Sequence, residues 1–160
     1  MHIAILSDTH DDLQRLERAM VLIDALKPDA VIHCGDLCGP HMLAPLGGRR
    51  ASFVFGNNDY EEAALRKEGQ RLGIECLGHG GQITLEGKTI GVMHGHDFRA
   101  REKMLAAGVD YLLSGHTHAR HDTRIGATRL INPGALYRAK EKTFVVLNLA
   151  TDGLTVHQVG

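Results

Sequence analysis

The sequence predicts an α/β protein with two β-sheets, and three observations support this class. Short apolar runs alternate with amphipathic segments through the first half of the chain, as in a parallel sheet with crossover helices. The second half changes to apolar–polar alternation around glycine-containing turns, which indicates hairpins and a second sheet. The chain has 160 residues, of which 43% are hydrophobic and 23% charged, an ordinary globular composition. We therefore predict a single domain over residues 1–160.

The first predicted unit is a strand followed by a helix. Residues 3–6 form a short continuous apolar run, which favours a strand that is buried on both faces. Apolar residues then recur at helical spacing: Leu13, Leu16, Met20 and Ile23. Asp11 and Gln14 have the spacing of a capping box, and Pro28 is expected to end the helix.

Two strands and a helix complete the predicted first half. The apolar runs at 30–34 and 52–55 predict the second and third strands. The segment 61–68 is a predicted helix, and Asp59 with Glu62 again has capping-box spacing.

The predicted second half is rich in strands. Its elements, in chain order, are a hairpin over 82–93, a helix over 99–107, a strand over 111–113 and hairpins over 123–132 and 143–159. Glycine closes the helix at Gly108 and supplies the turn of the middle hairpin at Gly126.

Charge and composition exclude several classes of protein. The formal net charge is −1, so no basic surface for nucleic acid or a membrane is expected. No apolar stretch approaches the roughly 18 residues of a membrane span, and Met1 leads into a predicted strand rather than a signal peptide. The three cysteines cannot all pair within the chain and are interpreted as reduced thiols. We expect a cytoplasmic protein, and the sequence leaves homo-oligomerisation open.

Polar side chains and histidines directly follow five of the predicted strands. The five segments are Asp8-Thr9-His10, Gly35-Asp36, Gly56-Asn57-Asn58-Asp59, His94-Gly95-His96 and Gly115-His116-Thr117-His118. Ligands of open α/β sheets bind at the carboxyl ends of the strands, so these side chains are expected to meet at one rim. The chain has 11 histidines, and histidine is the commonest metal ligand.

This set of side chains favours a site for two divalent metal ions. Oxygen ligands together with imidazole suit manganese, iron, nickel, cobalt or zinc. The cysteines lack zinc-finger spacing, which argues against a structural zinc site. More candidate ligands are present than one tetrahedral ion needs: Asp8, His10, Asp36, Asn57, His94, His116 and His118. Two ions that share a carboxylate, about 3.5–4 Å apart, can polarise a phosphoryl group and activate water.

These segments, in this order, resemble the calcineurin-like metallophosphoesterase superfamily. The segments at 7–11, 56–59 and 131–134 are similar to its short prokaryotic phosphodiesterase branch. The resemblance covers nearly the whole chain, from Ile3 to about Leu149. It implies a four-layer α/β/β/α sandwich of two mixed β-sheets flanked by helices, with a two-metal site.

The resemblance also implies which residues hold each ion. One ion would be held by Asp8, His10, Asp36 and His118. The other would be held by Asp36, Asn57, His94 and His116, with Asp36 as the bridge. A metal-bridging water or hydroxide would attack phosphorus in line with the leaving group. Manganese is the expected metal, with nickel, iron, cobalt and zinc as alternatives.

This chain departs from the superfamily pattern at the residue that would protonate the leaving oxygen. Many members carry a histidine directly after the Gly-Asn pair, whereas this chain has Asn58. An amide has no proton to give at neutral pH. The alternatives are His96 or metal-bound water as the donor, or a substrate whose leaving group needs no acid. We name His96 and Asn58 as candidate catalytic residues. The competing interpretations are a turn or substrate contact for Asn58 and a pocket-lining or orienting role for His96.

Other polar residues have structural interpretations beside the functional ones. Asp59 fits a helix cap and the support of a ligand equally well, and Asp97 is expected to cap the next helix. His2 and His33 lie in predicted strands and are interpreted as core histidines. Cys38 lies near the candidate loops, but the spacing of the cysteines is weak as a redox or metal motif.

Three functions are weighed. The first is metal-dependent hydrolysis of a small phosphodiester, with nucleotide-derived diesters suggested by the resemblance. The second is a protein-interaction scaffold with the same fold, for which a retromer coat subunit is the precedent, and the complete ligand series argues against it. The third is a hydrolase of carbon centres, such as an amidohydrolase, which the chain length and the Asp8-x-His10 opening disfavour.

Overall fold

The computed structural model describes all residues from 1 to 160 and contains eleven strands, three α-helices and one 3-10 helix. The strands are β1 (His2–Leu6), β2 (Ala30–His33), β3 (Ala51–Phe53), β4 (Glu75–Cys76), β5 (Gly80–Leu85), β6 (Lys88–Met93), β7 (Tyr111–Leu113), β8 (His121–Ile125), β9 (Thr128–Asn132), β10 (Thr143–Asn148) and β11 (Gly153–Gln158). The helices are α1 (Leu13–Leu26), α2 (Glu62–Leu72) and α3 (Phe98–Ala106), and the 3-10 helix spans Pro40–Leu46.

The first sheet has the strand order β11-β10-β1-β2-β3-β4. Strands β1 to β4 run parallel, whereas β10 pairs antiparallel with β1 and with β11. Alternate side chains of β1 point to opposite faces. Ala4 and Leu6 pack in the cluster that contains the helices, while Ile3 and Ile5 pack in a second cluster with residues of the other sheet. This two-sided burial explains the continuous apolar run at 3–6.

The second sheet has the strand order β5-β6-β7-β9-β8. Strands β6, β7 and β9 are parallel, and β5 and β8 are antiparallel edge strands. The β5–β6 turn contains Glu86 (φ +50°) and Gly87 (φ +73°), which is the left-handed pair that a type I′ hairpin turn requires. Both sheets are therefore mixed. The parallel strands reach one edge of the first sheet, at β4, and lie in the centre of the second.

Three apolar clusters define four layers. The first cluster joins α1, α2 and the 3-10 helix to one face of the first sheet and includes Leu16 and Phe53. The second lies between the sheets and includes Ile5 and Leu113. The third packs α3, through Met104, on the outer face of the second sheet. The order helix, sheet, sheet, helix confirms the predicted α/β/β/α sandwich.

The starts of two helices differ from the sequence prediction. Asp12, not Asp11, caps α1, because its carboxylate accepts the backbone N–H three residues on at 3.0 Å. Asp11 instead accepts the backbone N–H of Gly39 at 2.8 Å. Helix α2 begins after Glu61 without a side-chain cap, and the Asp59 carboxylate is used elsewhere. Capping-box spacing is a local pattern, whereas partners distant in the sequence decided where these carboxylates bind.

Two elements were missing from the prediction, and a third is longer than predicted. The 3-10 helix Pro40–Leu46 begins with a proline, contains a second one at Pro45 and has no regular apolar period, and β4 has only two residues. Helix α2 continues to Leu72 and ends at Gly73, which has φ +70°. No helix in the fold combines the length and the hydrophobicity that a membrane crossing needs.

Candidate metal centre

The predicted ligands lie in loops that follow strands of both sheets. Asp8 and His10 follow β1, Asp36 follows β2, Asn57 follows β3, His94 follows β6, and His116 and His118 follow β7. Backbone hydrogen bonds join these loops in pairs. The N–H of Asp8 donates to the carbonyl of Gly35 at 3.0 Å, and the N–H of Gly115 donates to the carbonyl of His94 at 2.8 Å. The parallel pairing thus brings the loops to one rim.

Asp8 is buried and is hydrogen-bonded through only one of its two oxygens. Its Oδ2 accepts from the hydroxyl of Ser7 at 2.6 Å and from the backbone N–H of His116 at 3.0 Å. Its Oδ1 has no hydrogen-bond partner. Burial opposes ionisation, but the contacts with His10 and Ser7 outweigh it and lower the pKa of Asp8. The carboxylate is therefore a charged, oriented acceptor.

Asp36 lies beside Asn58 and two of the histidines. Asn58 donates its backbone N–H to Asp36 Oδ1 at 2.8 Å and its side-chain amide to Oδ2 at 2.9 Å. The same Oδ2 lies 3.3 Å from His10 Nε2 and 3.2 Å from His94 Nε2. Burial raises the pKa of Asp36, but His94 and Asn58 together hold it well below its usual range. Asp36 therefore carries a negative charge between His10 and His94.

The backbone fixes the orientation of His94. Its Nδ1 lies 2.8 Å from the carbonyl oxygen of Cys34, so Nδ1 carries the proton and donates it there. On the other side of the ring, Nε2 faces Asp36 Oδ2 at 3.2 Å. This is the arrangement by which a metal-binding histidine is held by a carbonyl on its far side. Burial opposes protonation of His94, but the contact with Asp36 and the carbonyl of Cys34 outweigh it and raise the pKa of His94.

Three buried atoms of this centre lack a hydrogen-bond partner. They are Asp8 Oδ1, His10 Nε2 and His94 Nε2. An unpaired buried polar atom costs about 1–3 kcal/mol, so such a cluster requires an explanation. Carboxylate oxygens and imidazole nitrogens are ligands of first-row divalent metals. The residues present therefore fit bound metal ions, which would pair these three atoms.

The candidate ligand atoms form two groups, each within 4.8 Å. One group is Asp8, His10 and His118, and the other is Asp8, Asp36 and His94. Asp8 belongs to both groups, and Asp36 Oδ2 lies close to a histidine of each. Two carboxylates therefore lie between the groups.

Of the other predicted ligands, His118 is a member of the first group, whereas Asn57 and His116 border the second. His118 Nε2 lies 3.2 Å from Asp8 Oδ1 in the first group. His116 Nδ1 lies 3.1 Å from Asn57 Oδ1, and the His116 ring is centred 5.1 Å from that of His94. Asn57 and His116 are exposed, which places them at the open side of the second group.

The two candidate catalytic residues have different surroundings. His96 is exposed at the edge of the centre, with ring centroids 5.5 Å from His94 and 6.1 Å from His116. Partial burial and these neighbouring imidazoles lower the pKa of His96. Asn58 is half-buried and uses both its backbone and side-chain N–H groups on Asp36.

The loops of the centre adopt uncommon backbone conformations. Seven of the eleven non-glycine residues with positive φ lie in them: Asp8, His10, Asp11, Asp36, Cys38, His116 and His118. Such conformations cost energy and cluster at functional sites. Glycine is also required nearby, because a Cβ at Gly35 would lie 2.8 Å from His94 Nδ1, and one at Gly115 would collide with Ser7 and Asp8.

Asp59 supports the centre in a way that its capping-box spacing did not reveal. Its carboxylate accepts three backbone N–H groups, from Gly56 at 2.6 Å, Cys38 at 2.7 Å and Asp36 at 2.9 Å. The group is buried, and burial raises its pKa. Asp59 thus joins the loops after β2 and β3. Its position two residues beyond a predicted ligand was the only signal in the sequence.

His33 and Asn132 also hold loops of the centre. His33 is buried as predicted, whereas His2 is exposed and is not the core residue that was expected. The ring of His33 accepts the N–H of Gly35 at Nδ1 (3.1 Å), and burial lowers its pKa to about 3. The amide of Asn132, at the end of β9, donates to the carbonyl of Gly115 at 2.8 Å. Only the resemblance at 131–134 had singled out Asn132.

Comparison with known proteins gives consistent matches over most of the chain. Residues 1–152 match the calcineurin-like phosphoesterase superfamily domain. A phosphodiesterase of Methanocaldococcus jannaschii is 28% identical over 138 residues, which cover 84% of this chain and 83% of that protein. A probable metallophosphoesterase of the same archaeon is 31% identical over 144 residues, which cover 84% of this chain and 68% of that one.

The fold is shared with solved structures as well. A structure described as a novel archaeal phosphodiesterase has a TM-score of 0.91 at 24% identity and covers 99% of this chain and 100% of its own. The printed names of these relatives, phosphodiesterase and metallophosphoesterase, agree with the oxygen and imidazole donors at the rim. The sequence match, the shared architecture and these donors lead to one conclusion: the chain belongs to the calcineurin-like phosphoesterase superfamily.

Proposed function

We propose that this protein is a phosphodiesterase that binds two divalent metal ions at the rim described above. The observation that carries the proposal is the convergence of three buried atoms without hydrogen-bond partners: Asp8 Oδ1, His10 Nε2 and His94 Nε2. The name of the phosphodiesterase relative supports a diester as the substrate class. We propose a small diester, with nucleotide derivatives as the first compounds to examine.

The proposed ligands divide into two sets. The first ion would be held by Asp8, His10, Asp36 and His118, whose close contacts support this grouping. The second would be held by Asp36, Asn57, His94 and His116. Asp36 is proposed as the shared ligand, since its Oδ2 lies within 3.3 Å of a histidine of each set.

Several of the proposed ligands are already charged and oriented by neighbouring groups before any ion binds. Divalent ions in such a site supply Lewis acidity towards phosphoryl oxygens and make water a stronger acid. Asp8 and Asp36 supply two negative charges, and their lowered pKa values keep both charged at neutral pH. Ser7 orients Asp8, and the carbonyl of Cys34 orients His94. Groups of this kind typically change metal affinity or activity 10–100-fold when they are removed.

The proposed roles of Asn58 and His96 differ. Asn58 holds Asp36 with two hydrogen bonds and has no proton to transfer, so it is proposed as a positioning residue. His96 lies at the edge of the centre and is proposed to contact the substrate. The leaving group would then depart with little help from a protein acid.

Manganese is the proposed metal, and nickel, iron, cobalt and zinc share its preference for this donor set. A reducing compartment, the cytoplasm, is also proposed, because Cys34, Cys38 and Cys76 are all free thiols.

The proposal is tested with protein that has been stripped by chelator and reloaded with manganese or nickel. We expect elemental analysis to find two ions per chain and the loaded protein to hydrolyse bis(p-nitrophenyl) phosphate faster than p-nitrophenyl phosphate. Asp36→Ala should lose both ions and the activity. Asp29→Ala removes an exposed carboxylate that binds only a backbone N–H and serves as the matched control. A fully metallated protein without turnover, or an active one with a single ion, would contradict the proposal.

A further inference from the structure

A cavity of about 430 Å³ lies beside the metal centre, on the outer side of the second sheet. Its walls come from α3, through Arg101, and from the segment before β8, through Arg120. Its floor is apolar and contains Met93, Leu112 and Leu130. We call it the arginine cavity. Its volume lies within the range of small-molecule sites, about 300–1,000 Å³.

The arginine cavity is lined by the same loops that carry proposed ligands. Gly115 and Thr117 line the cavity and alternate with His116 and His118 in the same loop. Gly95 lines it in the same way, directly after His94. The loops that present the proposed ligands therefore also form the cavity wall. A substrate whose phosphorus lies at the rim can extend an arm over these loops.

The polar lining of the cavity is positive. Arg101 and Arg120 line it together with His121, and no acidic side chain does. Each arginine forms an ion pair with one carboxylate, Arg101 with Glu102 at 3.3 Å and Arg120 with Glu141 at 3.1 Å, and neither guanidinium makes another hydrogen bond. A guanidinium has five N–H donors, so each retains donors for a ligand. The hydroxyl of half-buried Ser114 makes no hydrogen bond and also faces this space.

A second cavity borders the centre at His10 and Asn58 and has different chemistry. It measures about 350 Å³ and is lined by His10, Asn58 and Tyr60 together with the carboxylates of Asp11 and Glu61. A second anionic group would be repelled there and attracted in the arginine cavity. The arginine cavity therefore favours an additional anionic group, and the cavity lined by Asp11 and Glu61 disfavours one.

We infer that the arginine cavity binds the arm of a diester substrate that carries a ring body and a second anionic group. The apolar floor accommodates the ring, and Arg101 and Arg120 bind the additional phosphate, for which guanidinium groups have matching geometry. A nucleoside arm with a further phosphate has this chemistry. This inference rests on the proposed function, because it assigns a substrate class to the same site.

The test compares two diesters that differ by one phosphate. The substrates are the p-nitrophenyl ester of thymidine 5′-phosphate and its counterpart with an additional 3′-phosphate. We expect the wild-type protein loaded with manganese to show about a 10-fold higher kcat/KM for the second compound, the effect of a charge-assisted hydrogen bond. The double variant Arg101→Gln/Arg120→Gln should lose this preference through a higher KM. Arg99→Gln, an exposed change on the same helix outside the cavity, should retain it.

Titration calorimetry with thymidine 3′,5′-bisphosphate and thymidine 5′-phosphate gives a second readout that does not depend on turnover. We expect the bisphosphate to bind the wild-type protein about 10-fold more tightly, and the double variant to bind both alike. Hydrolysis of both diesters at equal kcat/KM, or a preference that survives in the double variant, overturns the inference. Bisphosphate binding that depends on the arginines, without turnover of any diester, upholds the cavity assignment and contradicts only the proposed function.

Discussion

At the scale of single residues, several buried side chains of this centre bind backbone rather than a ligand. Asp59 accepts three backbone N–H groups, and His33 joins the loops after β1 and β2. His33 Nδ1 accepts the N–H of Gly35, so its proton lies on Nε2, which faces the hydroxyl of Thr9 at 3.2 Å. Such residues determine where the candidate ligands point without touching a substrate.

Because His33 is neutral in the folded protein, we predict that the free energy of unfolding depends on pH. Burial lowers its pKa to about 3 in the folded protein, whereas an unfolded histidine has a pKa near 6.5. Below that pH only the unfolded state takes up the proton. The free energy of unfolding should therefore fall by up to about 1.4 kcal/mol per pH unit as the pH decreases towards 3. Urea unfolding of metal-free protein between pH 7 and 4 measures this slope.

A matched pair of variants isolates the contribution of His33. His33→Gln should show a shallower pH dependence than wild type over the same range, whatever its stability at pH 7. His121→Gln changes an exposed histidine and should keep the wild-type slope. Equal slopes in wild type and His33→Gln would show that His33 is not the group responsible.

We expect the leaving-group dependence of the proposed reaction to follow from Asn58 and His96. Asn58 cannot donate a proton, and the pKa of His96 is lowered by partial burial and by its imidazole neighbours. A positioned general acid typically contributes about 10²–10⁴-fold. We expect wild-type rates to rise steeply with leaving-group acidity across a series of aryl and alkyl diesters. His96→Ala should change turnover of bis(p-nitrophenyl) phosphate only a few-fold. A flat dependence together with a large loss in His96→Ala would identify His96 as the acid.

At the scale of elements, loops after parallel strands form the centre, and a neighbouring strand secures one of them. Asn132 at the end of β9 donates to the carbonyl of Gly115 at 2.8 Å and to the hydroxyl of Thr117 at 3.1 Å. Its Oδ1 accepts the N–H of Gly134 at 2.9 Å. One amide therefore links the loop that carries His116 and His118 to the turn after β9.

We predict that removing the Asn132 amide weakens metal binding. Asn132→Ala should weaken metal affinity and lower activity about 10–100-fold, as expected when a group that orients ligands is removed. Metal titration and kinetics measure the two effects. Asn148→Ala is the matched control, because Asn148 also ends a strand and its Oδ1 binds backbone N–H groups in a turn away from the centre. If the two variants bind metal equally well, the role assigned to Asn132 is wrong.

At the scale of the whole molecule, the apolar core is built from other residues than the candidate metal ligands. The 20 buried residues of the first cluster and the 15 of the second lie among strands and helices, and none of them is a proposed ligand. A chain of 160 residues can bury about two-thirds of its unfolded surface without a metal. The fold is therefore expected to persist when ions are removed.

Chelation should separate activity from folding. We expect chelator to abolish hydrolysis while the far-ultraviolet circular dichroism keeps its native form. Restoring manganese should raise Tm, because a ligand that binds only the folded state stabilises it by mass action. Loss of the native spectrum on chelation would show that the ions are structural, as in a zinc finger.

Much of the architecture and the candidate ligands could be predicted from the sequence, because strand periodicity and the residues after each strand are local patterns. The patterns that allowed the prediction are the apolar run at 3–6, the helical spacing in α1 and the polar residues after five strands. The resemblance to a known superfamily predicted the four-layer arrangement. The sheet order and the apolar clusters agree with that prediction.

The tertiary structure alone decided what each polar group binds. Asp11, Asp12 and Asp59 share the same chemistry, yet one accepts a distant loop N–H, one caps α1 and one joins two loops. The arginine cavity likewise forms from residues that are far apart in the chain. Hydrogen bonds and cavities depend on contacts between segments that only folding brings together, and periodicity does not encode those contacts.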